Sequence, residues 1–285
     1  MPWIDAHVHV WTEKTDRYKH RESYPIPGGI TIKDDAIEPR DFPPETILGH
    51  ARGSNVDRVV LIQMSFYGTD NSYMTDTIAK HPKTFRGVGY VDPEASGVGD
   101  TMAALLKQGV TGFRIVPVAG TEGSWLQTKS YEAMFRAAAG TRQAMSCLLN
   151  PDALKEVGRM ATAHPKAPIV IDHMARIGAD GQIRKADVDA LCALAQHRNI
   201  NVKLSAFYAL SRKKPGYDDL LPTVRRLYDA YGPERLMWAS DCPFETLHGT
   251  YEGSISLIRD RLDYLSKDAR DHILRGTAER IYFYK

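Results

Sequence analysis

Residues 57–63 read D-R-V-V-L-I-Q, a near-continuous apolar run. A strand with one wet face alternates apolar and polar side chains, whereas a run apolar at successive positions belongs to a strand covered on both faces. Such strands mark a parallel sheet sheathed in helices. The rest of the chain repeats this design. Strand-like runs recur at residues 1–11, 85–91, 110–116, 144–149, 167–172, 200–205 and 235–240. Helical segments separate or follow them at 44–53, 72–81, 98–108, 130–140, 151–164, 185–197 and 217–231, with two more at 251–265 and 268–275. Eight such strands, joined mostly by crossovers long enough for right-handed parallel connections, predict an α/β fold: one closed (β/α)8 TIM barrel over residues 1–285. A doubly wound open sheet is the competing arrangement. It calls for a glycine-rich first turn, and no G-x-G-x-x-G follows any of these strands.

One segment departs from the alternation. Residues 12–44 are polar and rich in proline and glycine, with Y-P-I-P-G-G at 24–29. A loop this long inside a compact domain is more often functional than neutral, so it reads as a substrate-facing loop. Composition excludes several other classes. A hydrophobic content of 43% and a charged content of 25% fit a soluble globular protein. A net charge of +2 gives no reason to expect nucleic acid or an acidic membrane as partner. Cys147, Cys192 and Cys242 are odd in number and form no C-x-x-C, against both a zinc ribbon and a disulfide framework. With no basic leader, cleavage signal or apolar span, the expected location is the cytoplasm. A homodimer is compatible with this composition.

In a (β/α)8 barrel the chemistry sits at the C-terminal strand ends. Those positions hold His7 and His9 on the first strand, Gln63 and Ser65 at the second, Tyr90 and Asp92 at the third, and Arg114 on the fourth. Asn150 follows the fifth, His173 the sixth, Lys203 and Ser205 lie on the seventh, and Asp241 follows the eighth. Residues two apart on a strand share a face, so His7 and His9 can present paired imidazoles to a divalent metal. Each residue alone reads as readily as a helix cap or a partner for loop backbone. Their joint placement is harder to explain that way, because the first and last strands become neighbours once the barrel closes. Cys242 beside Asp241 invites a nucleophile reading, but no base adjoins it, and a small buried residue before a cis-prone proline is the plainer one.

The stretches that carry a resemblance are I-D-A-H-V-H-V-W at 4–11, L-I-Q-M-S-F-Y-G-T-D-N at 61–71 and G-F-R-I-V-P at 112–117. They continue with H-P-K-A-P-I-V-I-D-H-M-A-R at 164–176, V-K-L-S at 202–205, W-A-S-D-C-P-F at 238–244 and G-T-A-E-R-I-Y at 276–282. Together they span nearly the whole chain and resemble the amidohydrolase superfamily, in its branch of lactonases. The resemblance implies that His7, His9, His173 and Asp241 hold one divalent metal, zinc or manganese, with Asp241 as general base. It also implies that Arg114 reaches a substrate carboxylate and that Ser65, Tyr67 and Asn71 line the pocket. The expected reaction is hydrolytic opening of a lactone of a small anionic metabolite. Decarboxylation of an unsaturated acid on the same barrel is the alternative. A metal-independent route also stays open, in which the same four residues position water and polarise the carbonyl, His173 among them.

The sequence departs from the family pattern in informative places. No lysine or glutamate ends the fourth or fifth strand, where two-metal relatives carry a bridging group, so one ion is the expectation. Ala209 stands where an arginine often follows the seventh strand, which leaves Lys203 and Arg212 as candidate second contacts to an anionic substrate. Phe244 replaces a frequent histidine, and Thr277 replaces an asparagine in the closing motif.

Overall fold

The computed structural model describes every residue except 27–29, 34, 35, 119, 211 and 285. Strand β1 (Trp3–Val8) opens the chain, and an antiparallel hairpin of β2 (Ser23–Ile26) and β3 (Ile30–Lys33) forms a sheet of its own. β1 pairs in parallel with β4 (Val56–Ile62). Then come β5 (Phe85–Gly89), β6 (Val110–Ile115), β7 (Ala144–Cys147), β8 (Ile169–Ile171), β9 (Ile200–Leu204) and β10 (Leu236–Trp238), each parallel to the one before. This is the eight-stranded TIM barrel expected from the apolar runs.

The crossovers carry α1 (Pro44–Gly53), α2 (Ser72–Lys80), α3 (Val98–Leu106), α4 (Lys129–Thr141), α5 (Leu154–Ala163), α6 (Lys185–Ala193) and α7 (Leu221–Tyr231). After β10 come α8 (Phe244–His248), α9 (Tyr251–Arg259), α10 (Lys267–Asp271) and α11 (Thr277–Tyr282). Local chemistry sets several of these ends. Pro44 opens α1, where its missing N–H is not needed, and the Thr128 side chain accepts from the Tyr131 N–H to cap α4. Among the described residues, no helix is long and apolar enough to cross a membrane.

Two cores result. The larger lies between strands and helices and takes Val59 and Leu61 of β4, Ile169 and Ile171 of β8, and Val202 and Leu204 of β9. The smaller fills the barrel with residues of the other parity: Ile4, Ala6, Val60, Ile62, Val88, Ala144, Val170 and Met237. Ala278, Ile281 and Tyr282 of α11 pack against this inner core. By the same parity Arg114 of β6, Ser146 of β7, Asp172 just past β8 and Lys203 of β9 face inward as well. Gly112, two residues before Arg114, allows the close approach of β6 and β7, since a Cβ there would sit 2.9 Å from the Ala144 carbonyl oxygen.

The structure corrects the expected boundaries at several points. β1 ends at Val8, so His9 lies one residue past the strand rather than on it. β7, β8 and β10 are shorter than the apolar runs suggest: a 3-10 turn takes over at Asp172 after β8, and another occupies Pro233–Arg235 before β10. The stretch 12–44 is not all loop: it holds the β2–β3 hairpin, although residues 27–29 of its expected turn lie outside the described residues. The last expected helix, 268–275, is α10 running through a π turn (His272–Gly276) into α11.

Closure between the first and last strands is made by residues beyond β10. Val8 bridges Cys242, the His9 N–H donates to the Cys242 carbonyl at 2.8 Å, and the Asp241 N–H donates to the His7 carbonyl at 2.9 Å. Buried Asp5 reinforces the seam, accepting from the Ser240 N–H at 2.9 Å and the His7 N–H at 3.2 Å. The residues that close the barrel therefore also carry or adjoin the expected site.

Candidate active site

Three expected residues meet at that seam. His7 Nε2 lies 3.3 Å from His9 Nε2, and Asp241 Oδ1 lies 3.4 Å from each ring. Among the described residues, these are the one set of three donor groups that come within 4.8 Å of one another. All three are buried. His9 Nδ1 is 3.0 Å from the Ile62 carbonyl, which can only accept, so that ring donates from Nδ1 and keeps Nε2 bare towards Asp241. Two imidazoles and a carboxylate converging this way fit one divalent ion of the zinc or manganese kind.

His173, expected as a fourth ligand, stands beside this set. Its ring centroid is 4.5 Å from that of His7, and its Nδ1 is 2.9 Å from Ser205 Oγ. Backbone strain places it: His173, Met174, Ala175 and Arg176 have φ of 52°, 50°, 55° and 54°, all left-handed without a glycine. Asp241 is likewise left-handed, at φ 63°. Each such residue costs about 1–3 kcal/mol and persists where surrounding packing dictates it, commonly at a functional site.

Electrostatics separate the groups. Burial pushes the His173 imidazole down to about 4, so the ring is neutral at physiological pH. Burial, and then the Lys203 charge, hold His7 well below its ordinary value. Burial would raise the Asp241 carboxyl, but the facing His173, His9 and His7 outweigh it and hold it below the carboxylate range. The Tyr208 hydroxyl donates to Asp241 Oδ2 at 2.8 Å. Asp241 is therefore an ionised carboxylate held in one orientation.

Towards the barrel interior lies a second polar layer. Asp172 Oδ1 is 3.0 Å from Lys203 Nζ, Ser146 Oγ donates to the same carboxylate at 3.0 and 3.1 Å, and Arg114 Nη2 is 3.8 Å away. Burial would raise the Asp172 carboxyl, yet the Lys203 charge, with His7 and Arg114, holds it well below the ordinary range. Lys203, expected at the substrate, is fully buried in this layer, 5.4 Å from the Tyr282 ring. Arg114 is buried too, and its Nε has no hydrogen-bond partner among the described residues.

The remaining candidates are spread around the mouth. Ser65 and Tyr67 form a 3-10 turn after β4, and the Tyr67 hydroxyl accepts from the Thr12 N–H at 3.2 Å, joining the 12–44 segment to that turn. The Asn71 amide is committed to backbone: it donates to the Thr69 and Tyr90 carbonyls and accepts from the Tyr90 N–H. Arg212 is exposed, with its N–H donating to Asp219. Asp172, Ser146 and Tyr208 were not singled out from the sequence. Inward parity, counted from Val170 to Asp172, was the available signal for the first; nothing local marks Tyr208.

The family model for amidohydrolases matches residues 4–284. An L-fucono-1,5-lactonase of Burkholderia ambifaria is 28% identical over 98% of this chain and 94% of its own. A 4-sulfomuconolactone hydrolase of Rhizobium radiobacter is 25% identical over 84% of this chain and 75% of its own. A solved amidohydrolase of Burkholderia multivorans with bound zinc superposes with a TM-score of 0.81, at 20% identity and with both chains fully covered. A barrel sealed by its first and last strands, a His-x-His beside that seam and a family match from end to end agree: the chain belongs to the amidohydrolase family.

Proposed function

We propose that the chain hydrolyses the ester bond of a lactone borne by a small anionic metabolite, with Asp241 as general base. The observation that carries this reading is the state of Asp241: an ionised, buried carboxylate with one oxygen beside two imidazoles and the other fixed by Tyr208. In the proposed reaction Asp241 takes a proton from water as its oxygen bonds to the lactone carbonyl carbon. His173 Nδ1 lies 2.9 Å from Ser205 Oγ; in this reaction the Ser205 hydroxyl donates to Nδ1, the ring proton sits on Nε2, and Nε2–H donates a hydrogen bond to the developing oxyanion. The ring C–O bond then breaks, and the leaving alkoxide takes the proton back from Asp241. A divalent ion held by His7, His9 and Asp241 would supply Lewis acidity, lowering the pKa of water from near 16 to about 7.

Arg114 supports the anionic part of the reading. Its Nη2 lies 3.8 Å from the Asp172 carboxylate, and a buried guanidinium whose Nε donor has no partner among the described residues suits bidentate capture of a substrate carboxylate. The curated relatives act on lactones by name, which favours ring opening. The test is a panel of anionic and neutral lactones, assayed with and without added zinc, with CO2 release followed in parallel. Acid release from anionic lactones without CO2 is expected; CO2 release with no lactone opened would overturn the proposal.

A further inference from the structure

The two histidines of the cluster are wired differently. His9 donates from Nδ1 to the Ile62 carbonyl and so presents a bare Nε2. Among the described residues, His7 Nδ1 faces no such carbonyl. It lies 3.3 Å from the Lys203 ammonium and 3.7 Å from Asp172 Oδ1. An ammonium has three N–H groups and no lone pair, so towards Nδ1 it can only donate. A neutral imidazole that accepts at Nδ1 carries its proton on Nε2. That Nε2 faces His9 and Asp241, the atom that must be bare for His7 to serve as a ligand. Ligation therefore demands the other tautomer, with Nδ1–H donating to an acceptor. Asp172 Oδ1 is the acceptor at hand, but at 3.7 Å it is beyond hydrogen-bond length and already bound to Lys203.

We propose that Lys203 and Asp172 form a two-position selector of the His7 tautomer, and that this pair sets the metal affinity of the cluster. With Lys203 on Nδ1, His7 withholds Nε2 from a metal and turns its proton towards Asp241 Oδ1, 3.4 Å away. With Asp172 on Nδ1, His7 becomes a ligand. An ion pair kept only to hold the barrel together would be indifferent to which ring nitrogen carries the proton. The inference rests on the reading that His7, His9 and Asp241 hold one divalent ion.

The test uses the full chain labelled with 15N-histidine, with His7→Gln to assign the His7 signals. The metal-free protein should show His7 protonated at Nε2, and titration with zinc chloride should move that proton to Nδ1. Zinc affinity is read in parallel by competition with a chromophoric chelator. Lys203→Met is expected to bind zinc about 10–100-fold more tightly than wild type, and Asp172→Asn more weakly by a similar factor. Lys203→Met leaves the buried Asp172 carboxylate with the more distant Arg114 as its counter-charge and can fail to fold, so Lys203→Met/Asp172→Asn, which removes both charges, is measured as well. It should bind zinc more tightly than Asp172→Asn alone. An Nδ1–H tautomer in the metal-free wild type, or one zinc affinity across wild type and variants, would overturn the selector. No zinc uptake by any of the proteins would overturn the metal centre itself, and the selector with it.

Discussion

Glu245→Gln is the perturbation whose magnitude the structure fixes best. Glu245 lies on α8, four residues past Asp241, with no exposed surface. Oε1 accepts from the Tyr217 hydroxyl at 2.7 Å, while Oε2 is buried with no hydrogen-bond partner among the described residues. Burial pushes the carboxyl up from 4.5 to about 8, with the Asp241 and Asp5 charges adding to it and the Tyr217 bond working against it. The folded protein thus holds a proton that the unfolded chain releases above its ordinary value. A pKa raised on folding gives stability that is present below the unfolded value and lost as pH rises through the folded one. At about 1.4 kcal/mol per pH unit, the interval amounts to about 3 kcal/mol by pH 7 and about 5 kcal/mol above pH 8. Glutamine keeps the oxygen that accepts from Tyr217 and cannot ionise. Urea denaturation of both proteins should give similar stabilities near pH 4.5. The variant should then gain about 1.4 kcal/mol per pH unit over wild type, levelling off above about pH 8. Asp5, raised by burial to about 6, is common to both proteins and cancels in the difference. A difference that stays constant with pH would refute the reasoning, because it would mean that Glu245 folds ionised.

Three further outcomes bear on the chemistry. Asp241→Asn should lower kcat about 10²–10⁴-fold with an unchanged circular dichroism spectrum, and wild-type turnover would remove the general base. Arg114→Met should raise KM about 10–100-fold for anionic lactones and little for neutral ones, as expected for one lost charge-assisted pair; equal effects on both would make Arg114 structural. Elemental analysis of the purified protein should give about one equivalent of zinc or manganese, in keeping with one three-donor cluster. Full activity after exhaustive chelation would assign water activation to the side chains alone.

The barrel was legible because its strands are apolar on both faces, which few other local patterns imitate. Their ends were not, because apolar residues such as Leu148 and Leu149 continue past β7 as the chain leaves the sheet, with the Leu148 N–H still donating to Ile115. α8 spans five residues, too few for a helical period to show, and a charged, aromatic pentapeptide carries no other signal. The cluster of His7, His9 and Asp241 could be read from strand-end position, since the topology alone makes the first and last strands neighbours. Tyr208 could not, because its contact with Asp241 depends on a 3-10 turn at Phe207–Ala209 that follows left-handed Ala206. Asn71 shows the opposite case: a polar residue at the mouth whose side chain is taken up by backbone around Tyr90.

Asp172 and Asp241 show why position alone does not assign a role. Both carboxylates are buried, and both are held below the ordinary range. Asp172 is enclosed by Lys203, Ser146 and Arg114, so its charge is already balanced and it has little capacity left for a reacting proton. Asp241 has Tyr208 on one oxygen and the His7 and His9 imidazoles near the other, and burial keeps such imidazoles neutral. Lys203 and Arg114 together offset Asp172 and Asp241, so the buried layer is close to neutral before anything binds. A divalent ion alone would leave that desolvated space strongly positive, and an anionic substrate alone would leave it negative. Each offsets the charge the other brings. A site balanced in this way should favour the two together, which is consistent with a spare guanidinium donor and a cluster of two imidazoles and a carboxylate sharing one barrel mouth.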